Sequence, residues 1–151
     1  MTNAETLARL KAALRDATCA GPVGPEVIAQ AEQVLGVQFP QSYRVLLENF
    51  GACYGEALCE VAGLTSDEFK GESRTQTPEW SSVVLNTQRQ RALTRVTLPK
   101  SYIPISDDGM DCTFYLDTSN TDDLGECPVI AVGPGYDREV RANSFLEFVA
   151  Q

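Results

Sequence analysis

The densest run of side chains that could do chemistry is an acidic segment in the last third of the chain. It holds seven carboxylates and no Lys or Arg: Asp107, Asp108, Asp111, Asp117, Asp122, Asp123 and Glu126. Clustered carboxylates can bind calcium, supply the acid and base of a glycosidase, or attract a basic protein. Asp also favours tight turns, so "SDDG" and "NTDDLG" are equally consistent with ordinary hairpin loops.

The sequence disfavours metal binding and catalysis. The EF-hand pattern is absent, because in "DDGMD" the glycine precedes the third acid and the distal Glu is lacking. No feature selects two carboxylates as a catalytic pair. The chain contains no histidine, so no Ser-His or Cys-His pair and no histidine general base can be built. We therefore predict a protein that is not an enzyme, with no catalytic, cofactor-binding or metal-binding residues and no cofactor.

The distribution of charge favours a basic protein partner. The net charge is −9, and residues 101–151 carry ten acids against only Arg138 and Arg141. Residues 1–100 are close to neutral, with eleven acids and ten bases. The negative charge of an acidic surface disfavours direct binding to nucleic acid or to an anionic membrane and favours binding to a basic protein. The sequence does not indicate an oligomeric state.

We predict the seven acids as partner-binding residues, together with Glu56 and Trp80. Glu56 begins a predicted strand, and Trp80 stands at a predicted helix start beside a polar loop, although a Trp there is more often a core residue. Steering of one partner would require the acidic loops to converge. Consecutive turns of an antiparallel sheet lie at opposite ends, so convergence is not guaranteed.

The cysteines, the amino-terminal segment and the apolar runs indicate no special site or targeting signal. The five cysteines have irregular spacing and no CxxC pair, which favours reduced core residues over a zinc site. Residues 1–17 are polar and charged, without the basic leader and apolar core of a signal peptide. No apolar run is long enough to cross a bilayer. We predict a cytoplasmic protein of one domain spanning residues 1–151.

Helices dominate the first half of the predicted structure. Thr2 and Glu5 form a capping box for a helix to about Ala17, followed by a breaker-rich loop. Pro25 to Gly36 and Pro40 to Gly51 predict two helices joined by a tight elbow. Their contact is predicted to be one cluster formed by Ala31, Val34, Leu35, Phe39, Tyr43, Leu47 and Phe50.

The second half is predicted to be mainly sheet. A strand is expected from Glu56 to Leu64, and a helix from Trp80 to Leu93. "YIPIS" predicts an edge strand, "CTFYLDT" an alternating strand and "PVIAVGP" a central one, whereas the G-x-G of "AVGPGYDRE" indicates a turn. "NSFLEFVAQ" predicts a short helix capped at Asn143 or Ser144. The expected class is α+β, with a curved antiparallel sheet and helices packed on one face.

Four segments in order resemble the SUKH superfamily, which includes Knr-type yeast cell-wall regulators and many bacterial immunity proteins. They are "LGVQFPQSYRVLLENFGACYGE", "YIPISDDGMDCTFYLDT", "CPVIAV" and "NSFLEFVA". The resemblance covers about residues 27–149. Its characteristic positions here are Leu35, Gly36, Pro40, Tyr43, Leu46, Leu47, Gly51, Asp117, Ser144, Phe145 and Phe148.

The resemblance implies a single α+β domain with a protein-binding cleft. It also implies a cytoplasmic immunity protein that neutralises a cognate toxin, such as a nuclease with a basic surface, by stoichiometric occlusion. The alternative is a regulatory adaptor or scaffold of the kind that the eukaryotic members suggest. A carboxylate-based hydrolase is disfavoured by the residue inventory.

Overall fold

A computed structural model describes residues 2–55, 60–69, 81–92, 98–134 and 136–150. The described part forms a single α+β architecture with two antiparallel sheets, which confirms the predicted class. Its helices are α1 (Asn3–Ala13), α2 (Pro25–Leu35), α3 (Gln41–Asn49), α4 (Val83–Ala92) and α5 (Phe145–Ala150). Its strands are β1 (Thr18–Cys19), β2 (Cys53–Tyr54), β3 (Tyr102–Asp107), β4 (Thr113–Asp117), β5 (Val129–Gly133) and β6 (Tyr136–Ala142).

The first helix begins as predicted and ends early. The Thr2 hydroxyl accepts from the Glu5 amide, and the Glu5 carboxylate accepts from the Thr2 amide, which confirms the capping box. The helix ends at Ala13 instead of Ala17, and Thr18–Cys19 pairs with Cys53–Tyr54 as a short antiparallel ribbon. The segment predicted as loop therefore contains a strand, because β2 offers its backbone a partner.

The predicted helix–elbow–helix unit is confirmed. Pro25 occupies the first turn of α2, and Gly36 ends that helix with φ of 71°, a left-handed conformation that glycine adopts at low cost. Helix α3 follows Pro40, and Gly51 beyond its end has φ of 70°. Across the elbow, the Glu32 carboxylate accepts from the Phe39 amide and from the Arg44 guanidinium, each at 2.7 Å.

The core is centred on Tyr43. Its ring makes edge contacts with Phe39 and Phe145, and its hydroxyl donates to the Ala62 carbonyl at 2.6 Å. Burial raises the pKa of this phenol, so it stays a hydrogen-bond donor. The predicted contact cluster is confirmed for six of its seven residues and wrong for Val34, which is 45% exposed. The six are Ala31, Leu35, Phe39, Tyr43 and Leu47, which are buried, and Phe50, which is partly buried against them. The buried face of α2 is narrow and consists of Ile28, Ala31 and Leu35. Val34 lies beside that face.

The larger sheet has the order β3-β4-β5-β6, and each neighbouring pair is antiparallel. The predicted edge position of the Pro104 strand and the interior position of β5 are both confirmed. The prediction missed β6, whose first residues belong to the segment "AVGPGYDRE" that was interpreted as a turn. Its exposed segment, Arg138–Arg141, has only one large apolar residue and so lacks the alternation that marks a strand.

The segment predicted as a strand from Glu56 to Leu64 is only partly described. Val61 and Gly63 make isolated bridges, to Cys53 and Ser82 respectively, and residues 60–64 form no continuous strand. Helix α4 begins at Val83, later than predicted, and carries Arg89 and Arg91 in its last turn. Arg91 donates to the Leu35 carbonyl at 2.9 Å and so ties α4 to the end of α2.

Candidate partner-binding site

The first acidic group comprises Asp107, the last residue of β3, and Asp108 and Asp111 in the turn that leads to β4. Asp107 accepts from the Gly109 amide at 2.7 Å, and Asp108 accepts from the Met110 amide at 2.9 Å. These contacts are the local turn chemistry that Asp provides. All three acids are exposed, so they shape the turn and present negative charge at the same time.

The second acidic group comprises Asp117, the last residue of β4, and Asp122, Asp123 and Glu126 in the loop that follows it. Asp122 accepts from the amides of Leu124 and Glu126, both at 2.9 Å. Asp117 accepts from the Ser119 hydroxyl at 2.7 Å. Asp122 and Asp123 are exposed, whereas Asp117 and Glu126 are half-buried.

Glu126 differs from the other acids because it binds the start of a helix. Its two carboxylate oxygens accept from the Ser42 amide at 2.9 Å and from the Ser42 hydroxyl at 2.6 Å. Pro40, at the N-cap of α3, makes no side-chain capping bond, so Glu126 supplies the missing acceptor from a distant loop. Burial raises the pKa of Glu126, and the two Ser42 hydrogen bonds partly oppose that shift.

The two acidic groups do not merge into one patch. They stand at opposite ends of β4, whose five residues span about 14 Å at roughly 3.4 Å per residue. Two cysteines, one near each end of β4, show the same separation of the acidic groups. The Cys112 thiol at one end lies in the field of Asp108, and the Cys127 thiol at the other lies in the field of Glu126, Asp117 and Asp122.

The sheet between these groups has two different faces, as the strand register shows. Residues directly opposite one another in a sheet share a face. One register row, Ile103, Leu116, Val129 and Ala142, is at most 3% exposed. Phe114 lies on the same face and packs against Phe148 of helix α5, with 5.1 Å between the ring centroids. We call this the covered face.

The opposite face carries a second apolar row that runs out to solvent. Its members are Pro104, Tyr115, Ile130 and Val140. Tyr115 is 3% exposed and Ile130 4%, whereas Val140, on the edge strand β6, is 61% exposed. We call this the open face. The alternating pattern of "CTFYLDT" does not by itself indicate the burial of Tyr115, and that burial raises the pKa of its phenol.

Two side chains from opposite edges of the sheet meet over the open face. The Tyr102 ring, from β3, lies 5.9 Å from the Tyr115 ring, and the Arg138 guanidinium, from β6, lies 5.8 Å from the Tyr102 ring centroid. This distance suits a cation–π contact. Tyr and Arg are also among the residue types enriched where proteins bind one another.

A cleft continues the open face beside helix α4. It has a volume of about 220 Å³ and is lined by Pro104, Asp107 and Thr113 on the sheet side and by Asn86 and Gln90 on the helix side. Typical small-molecule pockets enclose roughly 300–1,000 Å³. The cleft is therefore smaller than a typical small-molecule pocket.

Glu56 and Trp80, the remaining predicted partner-binding residues, lie outside the described residues. Their assignment stays a prediction. The same is true of the seven acids as a partner-binding set, whose positions are now known.

The structure also bears on metal sites and cysteines. In the described ranges, no three Cys, Asp or Glu side chains are grouped to hold a metal ion. The four described cysteines are free, and Cys53, Cys112 and Cys127 are buried as predicted. Burial, followed by nearby carboxylates, raises the pKa of the Cys127 thiol to about 12, which makes it a poor nucleophile. None of the described helices has the length and apolar character to span a bilayer.

The comparisons with known proteins identify a class of protein. The sequence profile of SUKH_6, described as SMI1-KNR4 cell-wall, matches residues 25–149. The chain therefore belongs to the SUKH superfamily, which confirms the resemblance. This family is associated with immunity to toxins and is generally non-enzymatic. A search of curated proteins finds no significant match.

Proposed function

We propose that this protein is an immunity protein that binds one protein toxin and neutralises it by covering its working surface. The family supplies the class of function, and the charge distribution of this chain supplies the partner's character. Two groups of carboxylates flank a sheet face, and residues 107–126 contain no Lys or Arg to offset them. Such a surface attracts a basic partner and rejects acidic ones.

The observation that carries this proposal is that residues 107–126, which hold both acidic groups, contain seven carboxylates and no Lys or Arg. A nuclease toxin needs a basic groove for its substrate, because phosphate contacts dominate nucleic-acid affinity. An acidic protein can occupy that groove in place of the nucleic acid. Neutralisation then requires one immunity protein per toxin and no turnover, in the cytoplasm where the toxin would act.

The proposal predicts that the gene directly upstream encodes a large secreted protein whose carboxyl-terminal domain is the toxin, and the test uses that domain. The purified domain should bind this protein with 1:1 stoichiometry in calorimetry, and co-expression should restore growth. Inhibition of the toxin should reach completion at equimolar immunity protein. Complete protection at a small fraction of the toxin concentration would instead indicate catalysis. The absence of such a gene, or of any binding, would contradict the proposal.

A further inference from the structure

Arg138 holds an unusual backbone conformation at the edge of the open face. Its φ is 58°, and among the described residues it is the only one besides glycines with positive φ. The strand register between β5 and β6 shifts at this point, as at a β-bulge. Glycine is the residue that normally fills such a position, because a Cβ atom crowds the backbone there.

The Arg138 side chain offsets this conformational cost with a specific placement. The bulge directs the guanidinium across the sheet to the Tyr102 ring. Strained backbone that persists in a native structure often marks a functional position. A glycine would relieve the strain and would remove the guanidinium that joins the two sheet edges over Tyr115.

We propose that the open face is the docking surface for the toxin and that the Arg138–Tyr102 pair forms its centre. This inference rests on the proposed function. The occupant is a folded protein whose contact surface has an apolar centre flanked on both sides by Lys or Arg. Val140, 61% exposed beside this pair, supplies apolar contact area.

Charge complementarity selects this face over the rest of the molecule. Asp107 is opposite Thr113 in the register, and Asp117 is opposite Tyr102. One acid from each group therefore stands at each end of the open face. The shortest path between the groups runs along β4, and helix α5 packs on the other side of the sheet through Phe148. A basic partner that contacts both groups thus crosses Tyr102 and Arg138, whereas Tyr115, 3% exposed, lies buried in the face between the groups.

The proposed centre has the composition of a binding hot spot. Large amphipathic side chains in the middle of an interface contribute most of its energy, and a polar rim excludes water around them. Here the centre is aromatic, apolar and guanidinium, and the rim is carboxylate. The cleft beside Pro104 gives the partner one recess into which a side chain can insert.

Two matched pairs of variants test the inference with the upstream toxin domain as the probe. Val140→Lys places a positive charge on the open face, and Val34→Lys places the same change on helix α2, where Val34 is 45% exposed. Arg138→Gly removes the central guanidinium, and Arg15→Ala removes an exposed one beyond helix α1. Calorimetry gives the Kd, and thermal unfolding gives the Tm.

Val140→Lys and Arg138→Gly should each raise the Kd at least about tenfold, as loss of a central contact does, while Val34→Lys and Arg15→Ala change it by less than about twofold. Arg138→Gly should also leave the Tm unchanged or higher, which separates lost binding from lost folding. Equal Kd values for wild type, Val140→Lys and Arg138→Gly would overturn this inference and leave the proposed function intact. Absence of binding by the wild type would overturn both.

Discussion

The two faces of the four-stranded sheet are built from the same strands and differ in what completes them. The covered-face row, Ile103, Leu116, Val129 and Ala142, is buried to its end at the β6 edge. The open-face row begins buried at Pro104 and becomes exposed at Val140. Since alternate residues of each strand serve the two faces, a single strand contributes both to the core and to a surface that a partner can cover. Adjacent residues such as Leu116 and Tyr115 therefore lie on different faces: Leu116 packs in the core, and Tyr115 belongs to the face that a partner can cover.

The largest expected effect belongs to the covered face. Leu116 is fully buried there, so Leu116→Ala should lower the free energy of unfolding by about 2–5 kcal/mol. Val140→Ala, on the open face, should change it by less than about 0.5 kcal/mol because Val140 is largely exposed. Urea unfolding monitored by circular dichroism measures both. A similar loss for both variants would remove the distinction between the faces.

Part of this contrast could be predicted from the sequence. Helices α2 and α3 were predictable because Pro25, Gly36 and Gly51 mark their boundaries locally. Strand β6 was missed because an exposed edge strand carries little apolar periodicity. The Arg138–Tyr102 contact was also missed, since it depends on a bulge and on strands at opposite edges of the sheet.

The candidate site shows the same limit. The sequence predicted that the β3–β4 turn and the β4–β5 loop would lie at opposite ends of a strand, and the structure places them there. It could not separate Glu126 from the other acids. Ser42, its partner, is 84 positions away in the chain, and no local pattern records that contact. Glu126 thus belongs with the groups that hold the helical layer to the sheet.

The next largest effect tests that assignment of Glu126. Glu126→Ala leaves the buried Ser42 hydroxyl and the first turn of α3 without their acceptor, which should cost about 0.5–2 kcal/mol of unfolding free energy. Asp123→Ala, in the same loop, should be nearly neutral because Asp123 is exposed. Denaturant unfolding of the two variants gives the comparison. Equal losses would show that the loop as a whole, and not Glu126, stabilises the helix start.

The pH dependence of stability gives a smaller, signed test of the same residue. The folded-state pKa of Glu126 is raised above its ordinary value of 4.5, chiefly by burial. The folded state therefore binds this proton more tightly than the unfolded state. The resulting stability is fully present below about pH 4.5 and is lost as the pH rises through the folded-state pKa.

Glu126→Gln removes this titration while keeping the side chain's size. The stability of the wild type relative to Glu126→Gln should therefore increase as the pH falls from about 7 towards 4.5. Urea unfolding of both proteins at several pH values measures the difference, and the comparison cancels the other carboxylates. A difference that decreases on acidification would mean that the Ser42 hydrogen bonds outweigh burial.

The smallest expected effect on folding, and the most informative for binding, concerns the exposed acids of the β4–β5 loop. Asp122→Asn with Asp123→Asn removes two charges, and the amide oxygen introduced by the first change can still accept from the Leu124 and Glu126 amides as the Asp122 carboxylate does. Association with the upstream toxin domain should slow several-fold at low salt, with little change in unfolding free energy. The effect should shrink towards physiological salt, where the Debye length is about 8 Å. Stopped-flow binding at two salt concentrations measures it.

The acids at the other end of β4 provide a matched comparison. Asp108→Asn with Asp111→Asn removes the same charge from the β3–β4 turn. If the partner spans the open face, both double variants should slow association by similar factors, because each end then meets basic residues. If only one double variant slows association, the partner contacts one end of the sheet, and the acids at the other end only stabilise their turn. Unchanged rates for both pairs at both salt concentrations would leave all four carboxylates as turn formers, because electrostatic steering acts on the association rate before any contact forms.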